Sequence, residues 1–192
     1  MAMSLSGIYM PPNHQIHKAS LSSVRGITLL AILAALSVAG RIALSSIPNV
    51  QPVTTFVILM TILMGLQYGL LLAIIVMILS NMVLGIGIWI IPQIIAYCII
   101  VVVTGIFIRP VFPKFSLFVM AIYAGFTGML YGFINSLCQI PLYGSTYFLV
   151  YYLAGVPYDT MHAIGNFVFY VVLTPLLLPL LHKLINQHFA KS

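Results

Sequence analysis

The chain has 192 residues, of which 62% are hydrophobic and only 4% are charged, and its formal net charge is +6. A soluble domain of this length could not bury so large an apolar fraction, so the composition excludes a soluble protein and predicts an integral membrane protein. The cations lie beside apolar runs, which is typical of cytoplasmic loops and argues against nucleic-acid binding.

Residues 1–20 are polar and show no helical apolar pattern, so we predict an N-terminal cytoplasmic tail. The remaining residues, 21–192, are predicted to form a single transmembrane domain. Its first apolar run, from Arg25 to about Ser45, matches a hydrocarbon core of about 30 Å when it is helical. The run is too long for the core of a signal peptide, so we predict that it stays in the protein as a membrane helix.

Within this first helix, Ala31, Ala35 and Ala39 recur every four residues and form a ridge of small side chains. Such a ridge lets another helix approach closely. The partner is either another helix of the same chain or a separate protein.

The next apolar run, Val53 to Leu84, is long for one span and short for two, and Gly65 and Gly69 interrupt it. If the chain turns there, it crosses the bilayer six times, and the cations of the termini and loops fall on one side. If it does not turn, Arg109 and Lys114 lie opposite the N-terminal cations. The positive-inside bias therefore predicts six spans with both termini cytoplasmic, and it makes the second and third helices short or tilted.

The stretch from Asn81 to Pro92, NMVLGIGIWIIP, contains two helix-breaking glycines and the only tryptophan, Trp89. This side chain is either a pocket residue or an interfacial anchor. A fourth helix is predicted from Pro92 to Ile108, with Gln93 and Tyr97 on one face.

The fifth predicted helix runs from about Ser116 to Leu137. Three of its glycines share one face and predict close packing against a neighbour: Gly125, Gly128 and Gly132. A second ridge on the same helix is polar and consists of Tyr123, Thr127, Tyr131 and Asn135.

A long connection rich in aromatic residues, from Cys138 to Pro157, includes Tyr147 and Tyr151. A loop of this kind in a compact protein often acts as a lid, so we predict that it closes over a ligand. The sixth helix is predicted to start near Tyr158 and to run to about Leu184, with two prolines that kink it or end its regular part.

The sixth helix carries the only acidic residue of the chain and places Asp159, His162, Asn166 and Tyr170 on one face. Unpaired polar groups are costly in hydrocarbon, so this face lies against protein or a water-filled cavity and is a candidate binding face. Asp159 is alternatively the N-cap of this helix. Because no second His or Cys lies at ligand spacing from His162, we predict no metal site.

Arg41 lies near the outer end of the first helix, apart from the other cations. A buried charge needs a partner, and Asp159 is the only acid available. We therefore predict an ion pair between Arg41 and Asp159 that braces the first and sixth helices. In the alternative, Arg41 reaches the phosphates of surrounding lipids.

The chain lacks the residues of common hydrolases and ATPases. It contains no glutamate, no phosphate-binding loop and no second acid for general acid-base catalysis. We therefore predict that it is not an enzyme and uses no cofactor. Uptake of a solute against a gradient would draw its energy from a partner.

The order and spacing of several motifs resemble the substrate-binding S-components of energy-coupling factor (ECF) vitamin transporters. The motifs are the small-residue ridge, Gly40-Arg41, the loop IPNVQP, the stretch NMVLGIGIWIIPQ and the segment DTMHAIGN. The pattern formed by Asn81, Gly85, Gly87, Trp89 and Gln93 is similar to the cobalamin-type branch of that family.

This resemblance implies a six-helix, multi-pass protein of the bacterial plasma membrane that captures a vitamin from outside. It also implies docking to a transmembrane coupling subunit that works with two cytoplasmic ATPase subunits. Ala31, Ala35 and Ala39 correspond to the docking motif AxxxA of the family. The implied ligand is cobalamin or a related corrinoid, and a pyrimidine, a thiamin precursor or another small vitamin is an alternative. Pantothenate is favoured less, because its carboxylate would need a cation of its own.

The predicted substrate-binding residues come from the outer loops and from the fourth and sixth helices. They are Asn49, Gln51, Asn81, Trp89, Gln93, Tyr97, Tyr147, Tyr151, Asp159, His162 and Asn166. Three rival functions are a stand-alone channel or facilitator, an assembly subunit without a ligand, and an intramembrane enzyme. A channel would need a polar path through the whole bilayer, and an enzyme ranks last for want of a second acid.

Overall fold

A computed structural model describes residues 24–189, so the predicted N-terminal tail lies outside the described residues. Between these limits the chain is helical and contains no strand. The helices in chain order are α1 (Val24–Ala43), α2 (Val53–Met64), α3 (Leu66–Leu84), α4 (Ile90–Val103), α5 (Leu117–Cys138), α6 (Ile140–Tyr143) and α7 (Phe148–Phe189). A π-helical turn, Thr104–Ile108, extends α4, and 3-10 turns cover Phe112–Lys114 and Ser145–Tyr147.

The bundle has the helices of a membrane protein, as the composition predicts. Among residues 24–189, five segments are long and apolar enough to cross a bilayer: Val24–Ala43, Leu66–Leu84, Ile90–Ile108, Leu117–Tyr143 and Ser145–Ile185. The remaining helix of the predicted six, α2, has only 12 residues. At 1.5 Å per residue it is about 18 Å long, well short of a hydrocarbon core of about 30 Å.

The short helix α2 forms the centre of the bundle. Every residue from Val53 to Ile62 is buried, and α1, α3, α4, α5 and α7 all pack on it. A helix that is apolar on all sides can be buried on all sides. The bilayer is therefore faced by the longer helices, which enclose α2.

The chain turns between α2 and α3 at Gly65, where the sequence predicts a turn. Its φ of 97° and ψ of 179° lie in a region that is essentially restricted to glycine. The Arg109 Nε donates to the Ile62 carbonyl oxygen at 2.9 Å, and the same guanidinium lies against Gly65. Burial lowers the pKa of Arg109. The α2–α3 turn and the α4–α5 connection therefore share one end of the bundle, which we call the cationic end.

The opposite end, which we call the polar end, contains the α1–α2 loop, the α3–α4 connection and the N-terminal half of α7. The α1–α2 loop folds inward, so that Gln51 and Pro52 are buried. Gly40 of α1 makes room for it, because a Cβ at Gly40 would lie 2.6 Å from Pro52 Cγ. The loop thereby brings polar side chains into the bundle.

The helices α5 and α7 form the most extensive pair in the structure. Gly132 lies against the carboxyl group of Asp159, and Gly128 and Gly125 lie against the backbone of Ala163. A Cβ at Gly128 would stand 2.6 Å from the Ala163 nitrogen. The predicted glycine face is therefore confirmed as a close helix contact.

The prediction of a long loop between the last two spans is wrong. Between Cys138 and Pro157 only Gln139 and Gly144 lie outside helical turns, and α7 begins at Phe148 instead of Tyr158. Asp159 consequently lies inside a helix and does not cap one.

Aromatic packing explains why the helix starts so early. The ring of Phe133 on α5 packs edge-on against Phe148 and Tyr152, with ring centroids 6.1 and 5.6 Å apart. Pro157 lies inside α7 and removes only one backbone hydrogen bond. Neighbouring helices in a membrane protein commonly compensate for such a loss, so the proline did not mark a helix start.

Candidate functional site

The polar stripe predicted on the last helix is buried inside the bundle. Asp159, His162, Asn166 and Tyr170 are each at most 5% exposed, and the stripe continues to the fully buried Thr174. This face therefore lies against protein, which is one of the two surroundings predicted for it.

The ring of His162 contacts side chains from two other helices, and these contact a third. Its ring stacks on Tyr131 of α5, with 4.9 Å between the ring centroids and 12° between the planes. Its Nε2 lies 3.4 Å from the Oγ1 of Thr54 on α2. Tyr97 of α4 packs on Tyr131 at 5.1 Å and accepts a hydrogen bond of 3.3 Å from Gln51 Nε2. We call these five residues the His162 cluster.

Several buried polar atoms in and around this cluster have no hydrogen-bond partner within the described part of the chain. They are Thr55 Oγ1, Asp159 Oδ2, His162 Nδ1, and both Oδ1 and Nδ2 of Asn166. Each unpaired buried group costs roughly 1–3 kcal/mol, and native proteins keep few of them. Such groups are available to bind water or a polar solute.

A second group of polar side chains surrounds Arg41 at the same end of the bundle. Its Nη1 donates to Ser80 Oγ at 2.6 Å and to Met77 Sδ at 3.2 Å, and its Nη2 donates to Gln93 Oε1 at 3.2 Å. Asn81 Nδ2 donates to the same Gln93 oxygen at 2.9 Å. The structure thus brings the predicted residues Asn81 and Gln93 together. We call these five residues the Arg41 cluster.

The structure does not form the predicted ion pair between Arg41 and Asp159. Arg41 contacts α3 and α4, whereas the Asp159 carboxyl group lies against Gly132 of α5. The reason is the arrangement of helices, because α1 packs chiefly on α3 and not on α7.

Of the predicted binding residues outside both clusters, Asp159 and Asn166 lie on the same buried face of α7 as His162. The other four lie outside the clusters and outside this face. Asn49 is half-buried in the α1–α2 loop at a φ of 58°. Trp89 is 48% exposed and its ring lies against Gly87, while Tyr147 and Tyr151 are 63% and 46% exposed. The exposure of Trp89 agrees with its alternative role as an interfacial anchor.

Sequence reasoning missed four residues that complete the clusters: Thr54, Tyr131, Met77 and Ser80. A signal existed for Tyr131, since it belongs to the predicted polar ridge of the fifth helix. Thr54 and Ser80 lie within apolar runs next to candidate residues, and only the packing of α2 and α3 shows which way they face.

The predicted docking ridge on α1 is exposed. Ala31, Ala35 and Ala39 all lie on the outer surface, next to Ile32 and Leu36, which are 52% and 48% exposed. Within residues 24–189 the ridge therefore does not serve as a contact between helices of the same chain. It faces lipid or a separate protein.

Among the described side chains, no three His, Cys, Asp or Glu residues lie close enough together to hold a metal ion. Comparisons of the chain with models of protein families, with curated proteins and with solved structures found no match. The resemblance to ECF S-components therefore rests on the sequence motifs alone.

Proposed function

We propose that this chain is the substrate-binding subunit of an ATP-driven, ECF-type vitamin importer in the bacterial plasma membrane. Its ligand is cobalamin or a related corrinoid, bound at the polar end. The observation that carries this proposal is the set of buried polar atoms without partners in and around the His162 cluster. A solute that hydrogen-bonds to them recovers the free energy lost when they were buried. Corrinoids suit such groups because their amide side chains both donate and accept hydrogen bonds.

The placement of charge supports capture from outside. Arg109 and Lys114 belong to the cationic end, and the positive-inside rule places that end in the cytoplasm. The His162 and Arg41 clusters then face the outside, where a vitamin would arrive. Both termini would be cytoplasmic.

The exposed alanine ridge supports docking to a partner. Small residues at i and i+4 let helix backbones approach closely. A helix face that contacts only lipid does not need small residues, so the ridge favours contact with another helix. We assign Ala31, Ala35 and Ala39 to the contact with a transmembrane coupling subunit. Two cytoplasmic ATPase subunits would supply the energy, because the chain has no phosphate-binding loop of its own.

Equilibrium binding to the purified chain tests the proposal. We expect saturable one-to-one binding of cobalamin, weakened at least about tenfold by Asn166→Leu, since tenfold corresponds to the loss of about 1.4 kcal/mol. Thr160→Val is the control, because Thr160 is on the exposed side of α7 and bonds only to its own helix. Tight binding of pantothenate or a thiamin precursor instead would remove the substrate assignment. No binding of any vitamin by a folded sample would remove the proposal.

One observation favours a channel or facilitator as a second candidate. The buried stripe runs from Asp159 to Thr174, which is about 22 Å along a helix. Beside it, Thr104 Oγ1 and the Tyr123 hydroxyl form a 2.7 Å hydrogen bond. The test is solute flux into liposomes that contain this chain alone, without ATPases. Such flux would support a channel or facilitator and would contradict an importer that depends on ATPase subunits.

A further inference from the structure

The polar end contains a buried cation that no acidic side chain of the chain neutralises. Arg41 is only 9% exposed, and its contacts are with the neutral side chains of Met77, Ser80 and Gln93. The whole sequence has one acidic side chain, Asp159, and this lies against α5. The charge of Arg41 therefore has no carboxylate partner within the described residues.

Removing a guanidinium group from water without a counter-ion is unfavourable, and neutral acceptors compensate only in part. Within the part of the chain that the structure describes, the hydrogen bonds of Arg41 start from Nη1 and Nη2, so its Nε–H can donate to a further acceptor. Guanidinium groups bind phosphate and carboxylate through short, charge-assisted hydrogen bonds. An anion supplied from outside the chain would complete this site.

The Arg41 cluster and the His162 cluster are neighbours. Gln93, which accepts from Arg41, lies one helical turn before Tyr97 on α4. A vitamin-sized solute is large enough to touch both clusters at once.

We propose that Arg41 binds an anionic group, a phosphate or a carboxylate, of the solute captured at the His162 cluster. This inference rests on the proposed function and narrows its substrates to vitamins that contain an anionic group. Cobalamin meets this condition through the phosphodiester of its nucleotide loop. Pantothenate also meets this condition. Because Arg41 does not pair with Asp159, its guanidinium group is available to bind the carboxylate of pantothenate.

The test compares cobalamin with cobinamide, which has the same corrin ring but lacks the nucleotide loop and with it the phosphodiester; loss of the preference in Arg41→Gln assigns the preference to the phosphodiester instead of the ribose or base. We expect the chain to prefer cobalamin at least about tenfold, a difference of about 1.4 kcal/mol, and Arg41→Gln to abolish that preference. Binding of cobinamide should change less than about twofold, which shows that the variant is folded. Lys114→Gln is the matched control, since it removes an exposed positive charge at the cationic end.

Competition by inorganic phosphate on the unmodified chain gives an independent measurement, because it needs no variant. We expect phosphate to weaken cobalamin binding more than cobinamide binding. If Arg41→Gln weakened both corrinoids equally, Arg41 would have a structural role only, and the inference would be overturned.

A lipid headgroup is the other source of phosphate at this site. In nanodiscs, phosphatidylglycerol would then raise the unfolding temperature of the unmodified chain relative to Arg41→Gln, whereas a phosphate-free glycolipid would not. If phosphatidylglycerol stabilised the chain in this way and the chain did not prefer cobalamin over cobinamide, Arg41 would bind a lipid phosphate, and the proposal that it binds the solute would be overturned. If no vitamin binds at all, the proposed function fails, and only titration with inorganic phosphate then tests Arg41 by itself.

Discussion

Replacement of Gly128 by alanine should separate α5 and α7, the two helices that carry Tyr131 and His162 of the His162 cluster. The new Cβ would lie 2.6 Å from the nitrogen and 2.7 Å from the Cα of Ala163, and 2.9 Å from the carbonyl carbon of His162. All three neighbours are backbone atoms, so no side chain can rotate away. Ordinary carbon contacts are about 3.5–4.0 Å, so α7 must retreat by about 1 Å.

Overpacking of this kind typically costs about 1–3 kcal/mol. The retreat would also disturb the stack of His162 on Tyr131, whose centroids are 4.9 Å apart. We therefore expect Gly128→Ala to lower the unfolding temperature of the detergent-solubilised chain and to weaken ligand binding. Thermal unfolding and equilibrium binding, measured on the same preparation, check both effects.

Gly155→Ala provides the matched control on α7. Its Cβ would meet only Asp159 Oδ2, at the ordinary distance of 3.8 Å. Because alanine favours a helix over glycine by up to about 1 kcal/mol, this variant should be neutral or slightly stabilising. Equal stability of Gly128→Ala and Gly155→Ala would refute the close α5–α7 contact.

Three further substitutions test other parts of the structure. Gly65→Ala should lower the free energy of unfolding by about 1–3 kcal/mol, because its backbone conformation excludes other residues; unchanged thermal unfolding would show that the α2–α3 turn adopts another conformation. Thr55→Val should raise the stability of the ligand-free chain by about 1 kcal/mol, because it removes a fully buried hydroxyl that has no hydrogen-bond partner within the described residues. A loss of stability would instead show that this hydroxyl has a partner, such as a bound water. Ala35→Leu should leave solute binding intact but reduce co-purification with the coupling subunit, because a larger side chain on the exposed ridge prevents close helix contact. Unchanged assembly would exclude the ridge as the docking surface.

Several features of this protein follow from local sequence rules. The apolar composition predicts membrane helices because hydrocarbon permits only backbone that is internally hydrogen-bonded. Gly65 marks the turn because few other residues adopt its backbone angles. The glycine face of α5 and the polar stripe of α7 follow from helical periodicity, which is a property of each helix alone.

The partners of each polar residue depend on which helices are neighbours, and that is decided only by the tertiary structure. Pairing Arg41 with Asp159 was reasonable from charge alone, yet α1 packs on α3, so the guanidinium binds Ser80 and Gln93. The early start of α7 likewise depends on contacts with Phe133 of another helix. Sequence therefore determined which faces are polar or small, and packing determined what each face meets, because helix contacts join residues far apart in the chain.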